Sequence, residues 1–314
     1  MINHTKDELK SILLSLNLIN KDIEDNKKIN TLYAISNRIE RNYKVYKIKK
    51  RNGNYRTIYS PNPLLKSIQK NILKNILNDM NISKYAKAYH KNICLKDNAY
   101  PHLNKKTVLK LDIIDFFENI EFPLIYQTCF NNNYFPKSIG HLLTYLCTYE
   151  SRLPQGAPTS SYISNLVMKD FDEELGTWCK SNNIDYTRYS DDMTFSGDFN
   201  PTEVIQKVRK MLYKLNLKIN NKKIHIINNS QQQNITGIIV NTKLQVSSKY
   251  RNQIRQSIYY LKKYGIKEHL NKINYQESPS KYINSLYGKI NYVLSIDNNN
   301  QEFIKYKNYL KELK

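Results

Sequence analysis

The chain has 314 residues, 40% of them hydrophobic, with 49 Lys plus Arg against 27 Asp plus Glu for a formal charge of +22. That length and apolar content suit one large domain or two to three modest subdomains around a full core, and they exclude a disordered tail. The charge favours a polyanion such as nucleic acid as partner, although an AT-rich coding sequence would also enrich the Lys, Asn, Ile and 26 Tyr seen here.

Thr5-Lys6-Asp7-Glu8 reads as a capping box, and Leu9, Ile12, Leu13 and Leu16 then mark an amphipathic first helix. Tyr43 to Tyr59 reads as a hairpin, with a strand to Lys50, a turn at Arg51-Asn52-Gly53-Asn54, and a second strand from Tyr55. Pro61 and Pro63 break that pattern, and a helix follows with Leu65, Ile68, Ile72 and Ile76 on one face. Val108 to Ile114 is a short, buried, β-branched strand. Tyr162 to Trp178 reads as one helix, and Tyr186 to Ser196 as two strands joined by Asp191-Asp192. Val204 to Leu215 is helical, and Ile235 to Val240 reads as another strand. From Ser248 onward the chain is mainly helical and basic. Ser247 or Ser248 is its cap, and Ile254, Ile258 and Leu261 form its apolar stripe. Strands mixed with helices, without regular βαβ alternation, predict an α+β fold.

Cys94, Cys129, Cys147 and Cys179 form no CxxC pair, and no apolar signal core precedes them, so they are expected to be reduced thiols of a cytoplasmic protein. The six His include no HxxxH zinc pair. No apolar run approaches the length of a membrane span.

Three carboxylates carry the chemical signal. Asp112 lies in the apolar strand VLKLDII, where an ionised side chain is costly unless paired or bound to a cation. Asp191 and Asp192 sit side by side at a hairpin tip, where they repel each other unless a cation lies between them. Taken singly, each has a plain structural reading, an exposed acidic turn or a strand-end cap. Joined, strand and hairpin would converge hard oxygen ligands suited to Mg²⁺. Two such ions clamp the attacking and leaving oxygens of an in-line phosphoryl transfer.

The surrounding residues resemble a known family. Tyr189-Ser190-Asp191-Asp192 resembles the YxDD box of reverse transcriptases. Leu111-Asp112-Ile113-Ile114-Asp115-Phe116-Phe117 resembles their first palm motif, and Leu153-Pro154-Gln155-Gly156-Ala157-Pro158-Thr159-Ser160 their PQG motif. All three occur in the family's order. Asn98-Ala99-Tyr100-Pro101-His102 and Ile235-Thr236-Gly237 are similar to the NAxxH and VTG signatures of the retron group. Ser190 stands where Ala is usual, Ser161 where Pro is common, and Ile224 where Thr usually follows the motif lysine.

The resemblance implies a right-hand polymerase fold with a β-sheet palm and helical thumb. Residues 1–105 would form N-terminal helices and fingers, 106–243 the palm with a fingers insertion around 131–160, and 244–314 a basic thumb. It implies Asp112, Asp191 and Asp192 as ligands of two Mg²⁺, with Mn²⁺ as an alternative ion. Phe117 would be a steric gate against the ribose 2′-hydroxyl, or else a core side chain. Gln155 and Gly156 would contact the incoming deoxynucleoside triphosphate. Lys49 and Arg56 on the fingers hairpin would grip its phosphates, and Lys223 would protonate pyrophosphate; a solvated basic surface is the plainer reading of all three. In the thumb, Arg251, Arg255 and Lys262 would contact RNA phosphates, with Tyr259 and Tyr260 as stacking surfaces. The implied partners are a structured noncoding RNA, its DNA product and an effector protein. Retrons further imply priming from an internal 2′-hydroxyl, a branched product and a role in defence against phage. Another bacterial reverse transcriptase class, or an inactive RNA-binding module, would share much of this pattern.

Overall fold

The computed structural model describes residues 4–20, 22–49, 53, 55–131 and 134–313. Its helices are α1 (Lys6–Ser15), α2 (Asp25–Ser36), α3 (Pro63–Asn75), α4 (Leu95–Ala99), α5 (Phe122–Ile125), α6 (Lys137–Cys147), α7 (Ser160–Val167), α8 (Lys169–Ser181), α9 (Pro201–Tyr213), α10 (Ser248–Lys272), α11 (Pro279–Ile296) and α12 (Gln301–Glu312). Its strands are β1 (Tyr43–Lys49), β2 (Tyr55–Pro61), β3 (Thr107–Asp112), β4 (Asp185–Tyr189), β5 (Asp192–Gly197), β6 (His225–Asn228), β7 (Asn234–Ile235), β8 (Ile238–Ile239) and β9 (Gln245–Val246). The α+β class follows.

Local signals set many boundaries. The Thr5 hydroxyl accepts from the Glu8 N–H at 3.2 Å while the Glu8 carboxylate accepts from the Thr5 N–H at 2.8 Å, completing the capping box of α1. Asn62 caps α3, with Pro63 in its first turn, where a missing N–H costs nothing. Ser247 caps α10. A hairpin pairs β1 with β2 antiparallel, from Tyr43 opposite Pro61 to Lys49 opposite Tyr55. Its expected turn, together with Lys50, falls largely outside the described residues.

A four-stranded antiparallel sheet, in the order β4-β5-β3-β6, positions the site. Residues alternate between its faces. Leu109, Leu111, Met193 and Phe195 turn one face into the main core, each at most 1% exposed. Lys110 opposite Thr194, and Asp112 opposite Asp192, lie on the other. The helices α1 to α3 and α5 to α9 share that main core. A second core joins Ala99 and Val108 to the small sheet β7-β8-β9 and to α10, α11 and α12.

Two expected elements divide. The helix read over Tyr162 to Trp178 is two helices, bent at Met168 (φ −86°, ψ 0°). The Met168 N–H still bonds the Ser164 carbonyl, and its own carbonyl accepts from Asp172, so the bend loses little hydrogen bonding and leaves the apolar spacing intact. The strand read over Ile235 to Val240 is a tight hairpin: Ile235 pairs with Ile238 across Thr236 (φ 46°) and Gly237 (φ 92°). Two successive left-handed residues reverse the chain as a two-residue hairpin turn requires, and the flanking isoleucines disguise it as one run.

Candidate active site

The carboxylates meet at one edge of the sheet. Asp112 ends β3 and lies in register with Asp192, the first residue of β5. Tyr189 pairs with Asp192, so the chain turns through Ser190 and Asp191, not through the two acids together. Ser190 is left-handed, with φ 61°. The Asp191 carbonyl accepts from the Ile113 N–H at 3.1 Å, tying the turn to the residue after Asp112. The Asp112 carbonyl accepts from the Asn220 N–H at 2.8 Å, which brings the Asn220–Lys223 segment to the same edge.

The electrostatics are those of acids gathered without enough cations. Lys223 Nζ stands 2.6 Å from Asp112 Oδ2, and Asn220 Nδ2 donates to Asp112 Oδ1 at 3.3 Å. Burial pushes the Asp191 and Asp192 carboxyls above the usual range, and negative neighbours, Asp112 for the first and Asp191 for the second, push them further. Burial pulls the Lys223 ammonium down, but its bond to Asp112 and the charges of all three carboxylates outweigh that and hold it up. Lys110 also faces Asp192. Among the described residues, no three His, Cys, Asp or Glu side chains already close around one point as a finished metal cage. The acid donors nevertheless fit a hard cation that brings its own water and phosphate ligands, as Mg²⁺ does, because burial and mutual repulsion leave them short of positive charge.

The other expected residues divide by location. Phe117 is 9% exposed and packs edge-on against Phe116, with ring centroids 5.4 Å apart. The Gln155 carbonyl accepts from the Tyr59 N–H at 2.9 Å, so the PQG loop is bonded to strand β2. Gly156 has φ +125°, and a Cβ there would lie 2.8 Å from the Tyr59 carbonyl oxygen; the close approach the glycine permits is to β2. Lys49 and Arg56 are exposed near the tip of the β1–β2 hairpin.

On α10, the stripe of Ile254, Ile258 and Leu261 is buried. Arg255 makes two 2.7 Å bonds to Glu302 of α12, and Lys262 lies 4.9 Å from the Tyr309 ring centroid. The Arg251 Nε is buried with no hydrogen-bond partner among the described residues. Tyr259 is 56% exposed and meets Tyr260 edge-on.

Two buried groups lie behind the site, one of them marked in the sequence by the NAxxH-like signature. His102 is fully buried, with Nδ1 2.7 Å from the Ser196 hydroxyl and Nε2 2.8 Å from the Thr187 hydroxyl. Asn98 donates to the Thr236 hydroxyl at 3.4 Å, joining the two retron-like signatures across 138 residues. The second group is the buried pair Asp172–Arg188. An Arg inside the otherwise uncharged strand segment YTRYS was its only trace in the sequence.

Residues 48–240 match the family of reverse transcriptases, RNA-dependent DNA polymerases. The chain is 34% identical over 238 residues to the Retron Ec83 reverse transcriptase of Escherichia coli, covering 70% of this chain and 76% of that one. It is 30% identical over 226 residues to the Retron Ec86 reverse transcriptase of the same organism, covering 70% of each. With the Retron Ec73 enzyme, also from Escherichia coli, it shares 30% identity over 274 residues, or 81% of this chain and 83% of that one. The chain therefore belongs to the retron-type reverse transcriptases, which are RNA-directed DNA polymerases.

Proposed function

We propose that Asp112, Asp191 and Asp192 hold two Mg²⁺, or Mn²⁺ in their stead, and that the chain copies a structured noncoding RNA of its own locus into DNA from deoxynucleoside triphosphates. The observation that carries this reading is the pairing of Asp112 with Asp192 across β3 and β5, with Asp191 in the adjoining turn. Bound there, the ions would activate the primer hydroxyl and neutralise the departing pyrophosphate. Lys223, bonded to Asp112, is within reach of the same edge and can give its proton to pyrophosphate. Phe117 limits space beside the sugar; Gln155 and Gly156 line the nucleotide's approach; Lys49 and Arg56 supply positive charge for its phosphates. Arg251 and Lys262, with Arg255, Tyr259 and Tyr260 beside them, offer charge and rings to RNA.

In this reading residues 1–105 act as fingers, 106–243 as palm with a fingers insertion around 131–160, and 244–314 as thumb. Kinship with the retron enzymes supports priming from an internal 2′-hydroxyl, a branched RNA–DNA product, an effector protein as partner, and cytoplasmic work in defence against phage. No helix among the described residues is long and apolar enough to cross a membrane.

Primer extension with purified protein tests the chemistry. Asp112→Ala, Asp191→Ala and Asp192→Ala should each lower the rate about a thousandfold, while RNA binding persists. Near-normal extension by any of the three would end the metal assignment, and an inactive wild-type protein that still binds RNA would favour a binding module. Sequencing of copurifying nucleic acid should find one RNA species joined to DNA through a 2′ linkage; only linear DNA would exclude self-priming.

A further inference from the structure

We infer that the buried Asp172–Arg188 pair is a positioning device for polymerisation, holding the catalytic turn through the carbonyl of Ser190. The inference rests on the polymerase reading of Asp112, Asp191 and Asp192. Both side chains are 0% exposed. Arg188 Nε donates to Asp172 Oδ1 at 2.9 Å and its Nη2 to Oδ2 at 2.6 Å, a planar fork on the carboxylate. The remaining Nη1 donates to the Ser190 carbonyl at 2.9 Å. That carbonyl belongs to the peptide between Ser190 and Asp191, so its direction fixes the plane from which Asp191 departs.

The pair is itself anchored on several sides. The Tyr186 hydroxyl donates to Asp172 Oδ1 at 2.8 Å. The Arg188 backbone bonds the Tyr85 carbonyl and the Lys87 N–H at 2.9 and 2.7 Å. Asp172 reaches the pair from α8, just after the bend at Met168. Ser190 sits at φ 61°, a conformation that costs a non-glycine residue energy and persists only where its surroundings impose it. The Arg188 bond is such an imposition, and the Tyr89 hydroxyl adds a weaker one to Ser190 Oγ at 3.3 Å.

Stability alone does not account for the pair. Well-packed apolar replacements of a buried ion pair are often neutral or stabilising, whereas removing one partner leaves a costly buried charge. What an apolar replacement cannot reproduce is the bond to the Ser190 carbonyl. That difference separates a positioning role from a merely structural one.

The test is the triple variant Tyr186→Phe/Asp172→Leu/Arg188→Met, which removes both charges together and orphans no hydroxyl. Thermal unfolding, kcat and KM for deoxynucleotide on a primed template, and amide hydrogen exchange of the peptide covering residues 186–196 are measured beside wild type and Asp191→Asn. We expect cooperative unfolding near the wild-type temperature and faster exchange at the turn. The kcat should fall about ten- to hundredfold with KM nearly unchanged, the loss typical of a reacting group displaced by about an ångström. A folded triple variant with wild-type kcat and wild-type exchange at the turn overturns the inference. Should the triple variant not fold, Arg188→Lys decides. It keeps the charge and loses the fork, so slower catalysis and faster turn exchange are expected, and wild-type values of both overturn the proposal. Failure of the polymerase reading shows separately, as Asp191→Asn matching wild type in extension, and it takes this inference down with it.

Discussion

Replacing Asp191 by Asn should make the metal-free protein more stable while abolishing its polymerase activity. Asp191 adjoins Asp192, and Asp112 is the cross-strand partner of Asp192, so three acids crowd one sheet edge. Directly opposed residues have Cα atoms about 4.5–5.5 Å apart. Unit charges about 5 Å apart repel by roughly 3 kcal/mol at an effective dielectric near 20. Lys223, bonded to Asp112, and partial exposure of the turn offset part of this, leaving on the order of 1–2 kcal/mol to be relieved. For a chain of this size that is a rise of a few degrees in unfolding temperature.

The sign of the pH dependence follows from the raised carboxyls. Burial first, and neighbouring negative charge second, make Asp191 and Asp192 hold their protons more tightly folded than unfolded. The folded state therefore binds more protons, and its stability falls as pH rises from the ordinary carboxylate range through the folded pKa values. The advantage of Asp191→Asn should accordingly be larger at about pH 8 than at about pH 5, measured by thermal unfolding in chelator. Saturating Mg²⁺ should raise wild type more than the variant, since only a state that binds ions gains from them. If the Asn variant is no more stable than wild type in chelator at about pH 8, or if Mg²⁺ raises both equally, the picture of a cation-starved carboxylate cluster is wrong.

Phe117→Ala should raise the kcat/KM for ribonucleotides relative to deoxynucleotides by about tenfold or more, as removal of a steric clash with one small group allows; an unchanged ratio would make Phe117 a core side chain only. Gly156→Ala should cost about 1–3 kcal/mol of stability through its positive φ and raise the deoxynucleotide KM, because the new Cβ would press on the Tyr59 carbonyl at 2.8 Å and push the loop off β2; unaltered unfolding and KM would refute this. Neutralising Arg251, Arg255 and Lys262 together should flatten the salt dependence of RNA binding by about 0.7–0.9 for each phosphate no longer neutralised. Arg255 should contribute least, being already engaged by Glu302, and an unchanged slope in cognate and scrambled RNA titrations would return this helix to a solvated face.

Sequence reading succeeds here where a local rule has a local cause. The capping box at Thr5 and Glu8, the Ser247 cap of α10, and its buried stripe of Ile254, Ile258 and Leu261 each rest on residues a few positions apart. It fails where left-handed residues are not glycine, as at Thr236 and Ser190, because nothing in a Thr or Ser announces a positive φ. It also misses the bend at Met168, which interrupts neither the apolar spacing nor the hydrogen bonding that periodicity reports. The meeting of Asp112 with the Asp191–Asp192 hairpin was legible; the bond from Lys223 was not, since it reaches Asp112 across 111 residues, and no spacing rule spans that distance.

Chemistry and geometry separate by whether polar atoms already have partners. His102 invites a role as base or ligand, yet both ring nitrogens are taken, by Ser196 and Thr187. Burial first, and the nearby Lys105 charge second, push its pKa down to about 3. It therefore stays neutral across the working range, with one nitrogen donating and the other accepting, a strut that locks β4 to β5 behind the carboxylate edge. Asn98, four residues earlier in the same motif, extends that strut to the Thr236 turn and so to the second core. Arg188 is likewise saturated by Asp172 and the Ser190 carbonyl. Asp191 and Asp192 are the opposite case: half-buried, mutually repelling, and faced by cations too few to neutralise them. A saturated polar group has spent its interactions on holding the fold in place. A half-buried, mutually repelling acidic pair at a sheet edge gains instead from a cation that arrives from outside, which is what the proposed divalent-ion site would supply.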